Sequence, residues 1–169
     1  NHVERTERNG YTGNWQYLIN GDDSEGSIIK KDTLIYKMTS WDDWNPNQMG
    51  IRCQSSTVDS NFIDIRYRGW ENYVIYDDYN SDITNNYISL WTYAWGDREI
   101  IRSGSSGTYI NKIENNHIVY DHSSSDRWYG IRAYSNTIIR NNTIECDYLA
   151  WAIHVGNDCI VDSNTISGD

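Results

Sequence analysis

A six-residue pattern recurs along most of this chain and restricts the folds open to it: an Ile or Val, two polar residues, Asn, one variable residue, and Ile. Its copies are Val58-Asp-Ser-Asn61-Phe-Ile63, Ile83-Thr-Asn-Asn86-Tyr-Ile88, Ile113-Glu-Asn-Asn116-His-Ile118, Ile139-Arg-Asn-Asn142-Thr-Ile144 and Val161-Asp-Ser-Asn164-Thr-Ile166. An earlier copy, Ile29-Lys-Lys-Asp32-Thr-Leu34, carries Asp and Leu instead. Successive starts are separated by 29, 25, 30, 26 and 22 residues, so one unit recurs while its loops vary in length. Units that touch only their neighbours build a solenoid. The pattern predicts an all-β, right-handed, single-stranded parallel β-helix of about six coils, with the two apolar residues in the bore and the Asn at a corner. At a strand spacing of about 4.8 Å, Asp32, Asn61, Asn86, Asn116, Asn142 and Asn164 form a ladder in which each side-chain amide bonds its neighbour.

Composition agrees with a coiled β chain. The chain has 22 Ile, 14 Tyr and 8 Trp against 4 Leu and 4 Ala, which favours strands over helices. Nineteen Asn and 17 Asp beside one Pro supply corners through residues that tolerate a left-handed backbone. A length of 169 residues suits one core. Residues 1–28, polar and Gly-rich, are expected to form an irregular cap or a first coil, and residues 29–169 the β-helix. No amphipathic segment follows Ile166, so an open C-terminal end is expected. The chain begins Asn1-His2-Val3-Glu4, without initiator Met or signal peptide, and reads as a mature or excised segment.

The net charge of −10 argues against a nucleic-acid partner, which requires a basic face. No apolar run reaches the roughly 18 residues of a transmembrane helix. Ten Arg against four Lys, with abundant Asn, Ser, Thr and Tyr, point to an extracellular or cell-surface location.

A Trp lies twelve residues after the pattern start in four units, at Trp41, Trp70, Trp95 and Trp151, and fifteen after it at Trp128. This predicts an aromatic column that either packs a corner of the solenoid or faces outward to stack on sugars or on another subunit. Cys53, Cys146 and Cys159 lack zinc-site spacing, and are read either as disulfide candidates with one thiol left over or as buried small hydrophobes. The sequon Asn141-Asn142-Thr143 makes Asn141 a candidate glycan acceptor.

The pattern copies, with Gly130-Ile131-Arg132 and Ala152-Ile153-His154 leading into the last two, resemble the right-handed parallel β-helix repeat family, which includes pectate-lyase-like enzymes and NosD-like repeat proteins. The resemblance spans about residues 28–169. It implies polysaccharide cleavage or binding, adhesion, or the building of surface layers. Polygalacturonases of that family share Asn-x-Asp, Asp-Asp, Gly-His-Gly and Arg-x-Lys motifs. Here Asp22-Asp23, Asp42-Asp43 and Asp77-Asp78 supply Asp pairs, but Gly-His-Gly and Arg-x-Lys are missing. Asp77-Asp78 is expected in a solvated loop, with Ca²⁺ at such a pair as the one cofactor to consider. Arg66, Arg68, Arg102, Arg132 and Arg140 match the base of the family's lyases in residue type alone. No His/Met cluster suggests a copper role. The leading expectation is therefore a non-enzymatic structural solenoid that associates with copies of itself in a surface layer, sheath or fibre. The alternative is a carbohydrate-binding module, or a lyase or hydrolase acting on polysaccharide.

Overall fold

The computed structural model describes residues 2–7, 16–20, 26–38, 45–67, 69–92, 98–104, 109–121, 128–147 and 151–168. They form a parallel β-solenoid with three parallel sheets as walls, and no helix occurs among the described residues. The first sheet stacks His2–Glu7, Thr33–Met38, Phe62–Tyr67, Tyr87–Thr92, His117–Asp121, Thr143–Cys146 and Thr165–Ser167. The second stacks Gln16–Asn20, Asn45–Cys53, Gly69–Asp77, Arg98–Ser103, Trp128–Ser135 and Trp151–Asn157. The third stacks Ile28–Lys30, Thr57–Asp59, Asp82–Thr84, Asn111–Glu114, Thr137–Arg140 and Ile160–Asp162. One strand from each sheet, taken in chain order, makes a coil.

The six-residue pattern spans the corner from the third sheet into the first sheet of the next coil. Its opening residues are in register, from Ile29 beside Val58 through Ile83, Ile113 and Ile139 to Val161. Its closing residues align in the same way from Leu34 through Ile63, Ile88, Ile118 and Ile144 to Ile166. Residues between Ile29 and Ile144 in these two columns are buried, so each coil adds two β-branched or Leu side chains to one continuous core. Val161 and Ile166 have a coil on one side only and are about half exposed.

The corner is held by the Asn ladder. Asn116 shows its full bonding: Oδ1 accepts from the backbone N–H and Nδ2 of Asn86, each at 3.0 Å. Its Nδ2 donates to the Ile83 carbonyl at 2.9 Å and to Asn142 Oδ1 at 3.0 Å. Two donors and two acceptor positions are thereby used, the full capacity of the amide. The same pairing links Asn61 to Asn86 and Asn142 to Asn164, and Asn61 Oδ1 accepts the Asp32 N–H. These N–H groups sit where the chain turns, and the next Asn takes the place of a strand partner.

The left-handed backbone falls one residue earlier than the Asn itself. Lys31, Ser60, Asn85, Asn115, Asn141 and Ser163 have φ between 54° and 58°. Two jobs that resemble each other in sequence are thus divided: the first corner residue supplies the backbone bend, and the second supplies the amide.

Asn116→Ala is expected to lower stability by about 3 kcal/mol, because several buried polar groups lose their partner at once. Asn115→Gly, one residue earlier, is expected to leave stability unchanged or slightly raised, since φ is 57° there. Urea unfolding of the two variants checks both.

Candidate functional site

Along the second sheet the alternation between bore and solvent is interrupted once per strand, where two consecutive residues such as Val74-Ile75 and Ile100-Ile101 are both buried. Ile51, Ile75, Ile101 and Ile131 point into the core. The next residue in each strand faces out, giving one file of Arg52, Tyr76, Arg102, Arg132 and His154 in register. A parallel file holds Tyr73, Glu99, Tyr129 and Trp151.

The two files interlock. Arg102 lies 4.8 Å from the Tyr76 ring centroid and 4.9 Å from that of Tyr134, and Arg132 lies 4.8 Å from Tyr129 and 5.0 Å from Tyr134. Tyr134 is therefore shared between two guanidinium groups. Glu99, 2 % exposed, also serves both: its carboxylate accepts from Arg132 Nη1 at 2.6 Å and lies 3.7 Å from Arg102 Nε. Arg102 Nη1 donates to the Tyr73 hydroxyl at 3.2 Å. Partial burial opposes the charge of both arginines, but the Glu99 carboxylate together with the surrounding tyrosines outweighs it and raises both pKa values above the ordinary arginine range. Arg52 is balanced separately by Asp78 at 2.9 Å. One carboxylate between Arg102 and Arg132 leaves this pair with a net positive charge, on a chain whose total is −10. At one end of the face Trp151 stacks on Tyr129 at 4.9 Å and 10°, with His154 edge-on to Tyr129 at 5.3 Å.

The described tryptophans do not form the expected column. Trp128 stands in register with Arg98 and Asn72, is fully buried, and packs at 4.6 Å on Tyr120 inside the bore. Trp151 instead stands in register with Tyr129 and is 42 % exposed. The backbone of Trp70 lies two residues before Asn72, at a third position. A spacing of twelve residues counts through the connection between the first and second sheets, whose length varies, so equal spacing does not give equal register. Trp41 and Trp95 lie outside the described residues.

The Asp77-Asp78 reading is corrected too. Asp77 closes a strand, points inward and is 1 % exposed, while Asp78 faces out to Arg52. Burial pushes Asp77 up to about 7, against hydrogen bonds from Ser81 and Ser103 that favour its charged form, with Asp78 adding to the rise. Ser103 Oγ donates to Asp77 Oδ2 at 3.0 Å and accepts from Asn111 Nδ2 at 2.8 Å, forming a second polar spine at the corner between the second and third sheets. Among the described residues no three His, Cys, Asp or Glu converge as metal ligands.

Cys53, Cys146 and Cys159 form no disulfide with one another. Cys53 heads the single file Cys53, Asp77, Ser103, Ala133 and Val155, so about 19 Å of stacked coils separate it from the coil that holds Cys146 and Cys159. Burial raises its thiol far above the usual range. Within that coil Cys146 closes a first-sheet strand, and Cys159 leads into a third-sheet strand. Asn141 is an exposed corner residue, and its neighbour Asn142 is committed to the ladder.

The arginine and tyrosine files were not read from the sequence, although a signal for them exists. Ile51-Arg-Cys53, Ile75-Tyr-Asp77, Ile101-Arg-Ser103, Ile131-Arg-Ala133 and Ile153-His-Val155 form a second, shorter repeat whose middle residue is the outward file. What the face offers chemically is planar cations held between rings. Among the described side chains its two carboxylates, Glu99 and Asp78, are both engaged by arginines, so the arrangement suits binding rather than acid–base chemistry. Comparison with protein-family models, with curated proteins and with solved structures finds no match to this chain.

Asp77 yields a pH prediction. Its folded pKa of about 7 exceeds the ordinary 3.8, so between those values the folded chain binds more protons than the unfolded chain. The contribution of Asp77 to stability therefore falls as pH rises from about 4 to 7. Asp77→Asn should remove this slope. Urea unfolding at pH 5 and pH 8 is expected to show the variant gaining roughly 2–4 kcal/mol on the wild type across the window.

Proposed function

We propose that this chain is an extracellular carbohydrate-binding β-solenoid that holds an acidic polysaccharide along the outer face of its second sheet. The observation that carries the reading is the Arg102–Arg132 pair, in register on adjacent coils, sharing one carboxylate and wedged between tyrosine rings. A guanidinium presents a planar fork of donors that fits a uronate carboxylate or a sulfate, and rings beside it take the apolar face of a sugar. The files repeat once per coil, which supplies like subsites to a polymer of like units. The resemblance to pectate-lyase-like proteins supports a polysaccharide ligand, and the engagement of both carboxylates on this face favours holding over cleaving.

The test is a titration of intrinsic Trp fluorescence with a polyuronate, a sulfated glycan and a neutral glucan. The acidic polymers are expected to bind and to weaken with added salt, because exposed charge pairs are screened. The neutral glucan is expected not to bind. Arg102→Lys with Arg132→Lys keeps the charge opposite buried Glu99 but removes the planar fork, and should weaken binding about ten-fold. Tyr134→Ala should weaken it as well. Equal binding of the neutral glucan, or undiminished binding by the Lys variant, would overturn the reading.

A further inference from the structure

The outer face of the first sheet differs in charge from the second. An open trough of about 370 Å³ runs over its strands, lined by Arg66, Ser89, Leu90, Trp91, Val119 and Asp121. Val119 and Asp121 also border a second hollow that adds Glu145 and Asp147, so the two are continuous. Outward charges on or just after the strands of this sheet are Asp64, Asp121, Glu145 and Asp147 against Arg66, which lies 3.6 Å from Asp64, and Lys37, in register with Arg66 at the far end from Asp121 and Asp147. His117 accompanies Glu145 at 2.8 Å. Asp121 and Asp147 are exposed.

Both sheets belong to the same coils, so their charges advance by the same step. Arg102 and Arg132 stand one coil apart on the second sheet. Asp121 and Asp147 stand one coil apart on the first, since each follows a member of the register pair Tyr120 and Cys146. A pair of cations on one face thus has the spacing of a pair of carboxylates on another. The cationic face carries the exposed ring of Tyr134 between its two arginines, and the acidic face offers a trough walled by the Trp91 indole.

We propose that the acidic trough of the first sheet receives the arginine–tyrosine face of a second copy of this chain. The copies lie side by side in the same direction, offset by one coil, so that Arg102 meets Asp121 and Arg132 meets Asp147. The two surfaces are different patches of one molecule, so the contact is heterologous and leaves a free face of each kind for further copies. Rows of molecules follow. The contact stands on a separate observation from the polysaccharide reading but draws on the same guanidinium groups, so an acidic polymer and a second copy compete for them.

Sedimentation velocity of the full chain across a range of concentrations, at about 50 mM and 500 mM salt, tests the contact. Concentration-dependent association at low salt that fades at high salt is expected. Asp121→Lys with Asp147→Lys should weaken association at least ten-fold while circular dichroism stays unchanged, and Asp121→Asn with Asp147→Asn should do so more mildly. Adding a polyuronate should dissociate the wild type. A wild type that stays monomeric at every concentration overturns the inference, and so does association undiminished in the trough variants. The second sheet is untouched in these variants, so they should still bind polyuronate. A wild type that associates as expected but fails to bind polyuronate would count against the polysaccharide reading alone, and a wild type that binds polyuronate but stays monomeric would count against this contact alone.

Discussion

The solenoid depends on how it satisfies the backbone where it turns. At each corner between the third and first sheets a peptide N–H leaves the strand ladder, and burial would make it costly if unpaired. The side chain of the Asn one coil further on supplies the missing acceptor, and the same amide ties itself to the next and to a carbonyl one coil back. Hydrogen bonds that cross coils at a fixed position also fix register. A coil that slipped by one residue would lose its amide contacts and turn its Ile pair toward solvent. The ladder therefore decides which side chains lie beside which on every wall.

Function enters through that register. Arg102 and Arg132 are 30 residues apart in the chain, yet they share one tyrosine and one glutamate because successive coils repeat their positions. The apolar half of each strand is spent on the bore, and the outward half is free to vary without disturbing the core. The result is a molecule with a cationic aromatic wall and an acidic trough on separate sheets, built on one scaffold. Its net negative charge keeps most of the surface unfriendly to polyanions, which makes the second-sheet face the favoured place for one.

What was legible in the sequence followed from distance along the chain. Within Ile-x-x-Asn-x-Ile no loop intervenes, so the pattern places its bore residues and its amide relative to one another directly. The Trp spacing ran through a connection of changing length, and the register of Trp128 and Trp151 came out different. Asp77 and Asp78 looked like one feature because they are adjacent, whereas a strand sends neighbours to opposite sides, one to the bore and one to Arg52. The arginine file demanded alignment on a second repeat, Ile-Arg-Cys and its kin, anchored on a different wall. Two repeats with different phases within one coil do not emerge from a search tuned to either.

The ladder can be observed bond by bond. In a uniformly ¹⁵N,¹³C-labelled sample, scalar coupling across a hydrogen bond connects a donor nitrogen to the acceptor carbonyl carbon. The account predicts such couplings from the backbone nitrogens of Asn61, Asn86, Asn116 and Asn142 to the side-chain carbonyl carbons of Asn86, Asn116, Asn142 and Asn164 respectively. Couplings from these nitrogens to backbone carbonyls instead, or rapid exchange of these four amides with solvent, would contradict it.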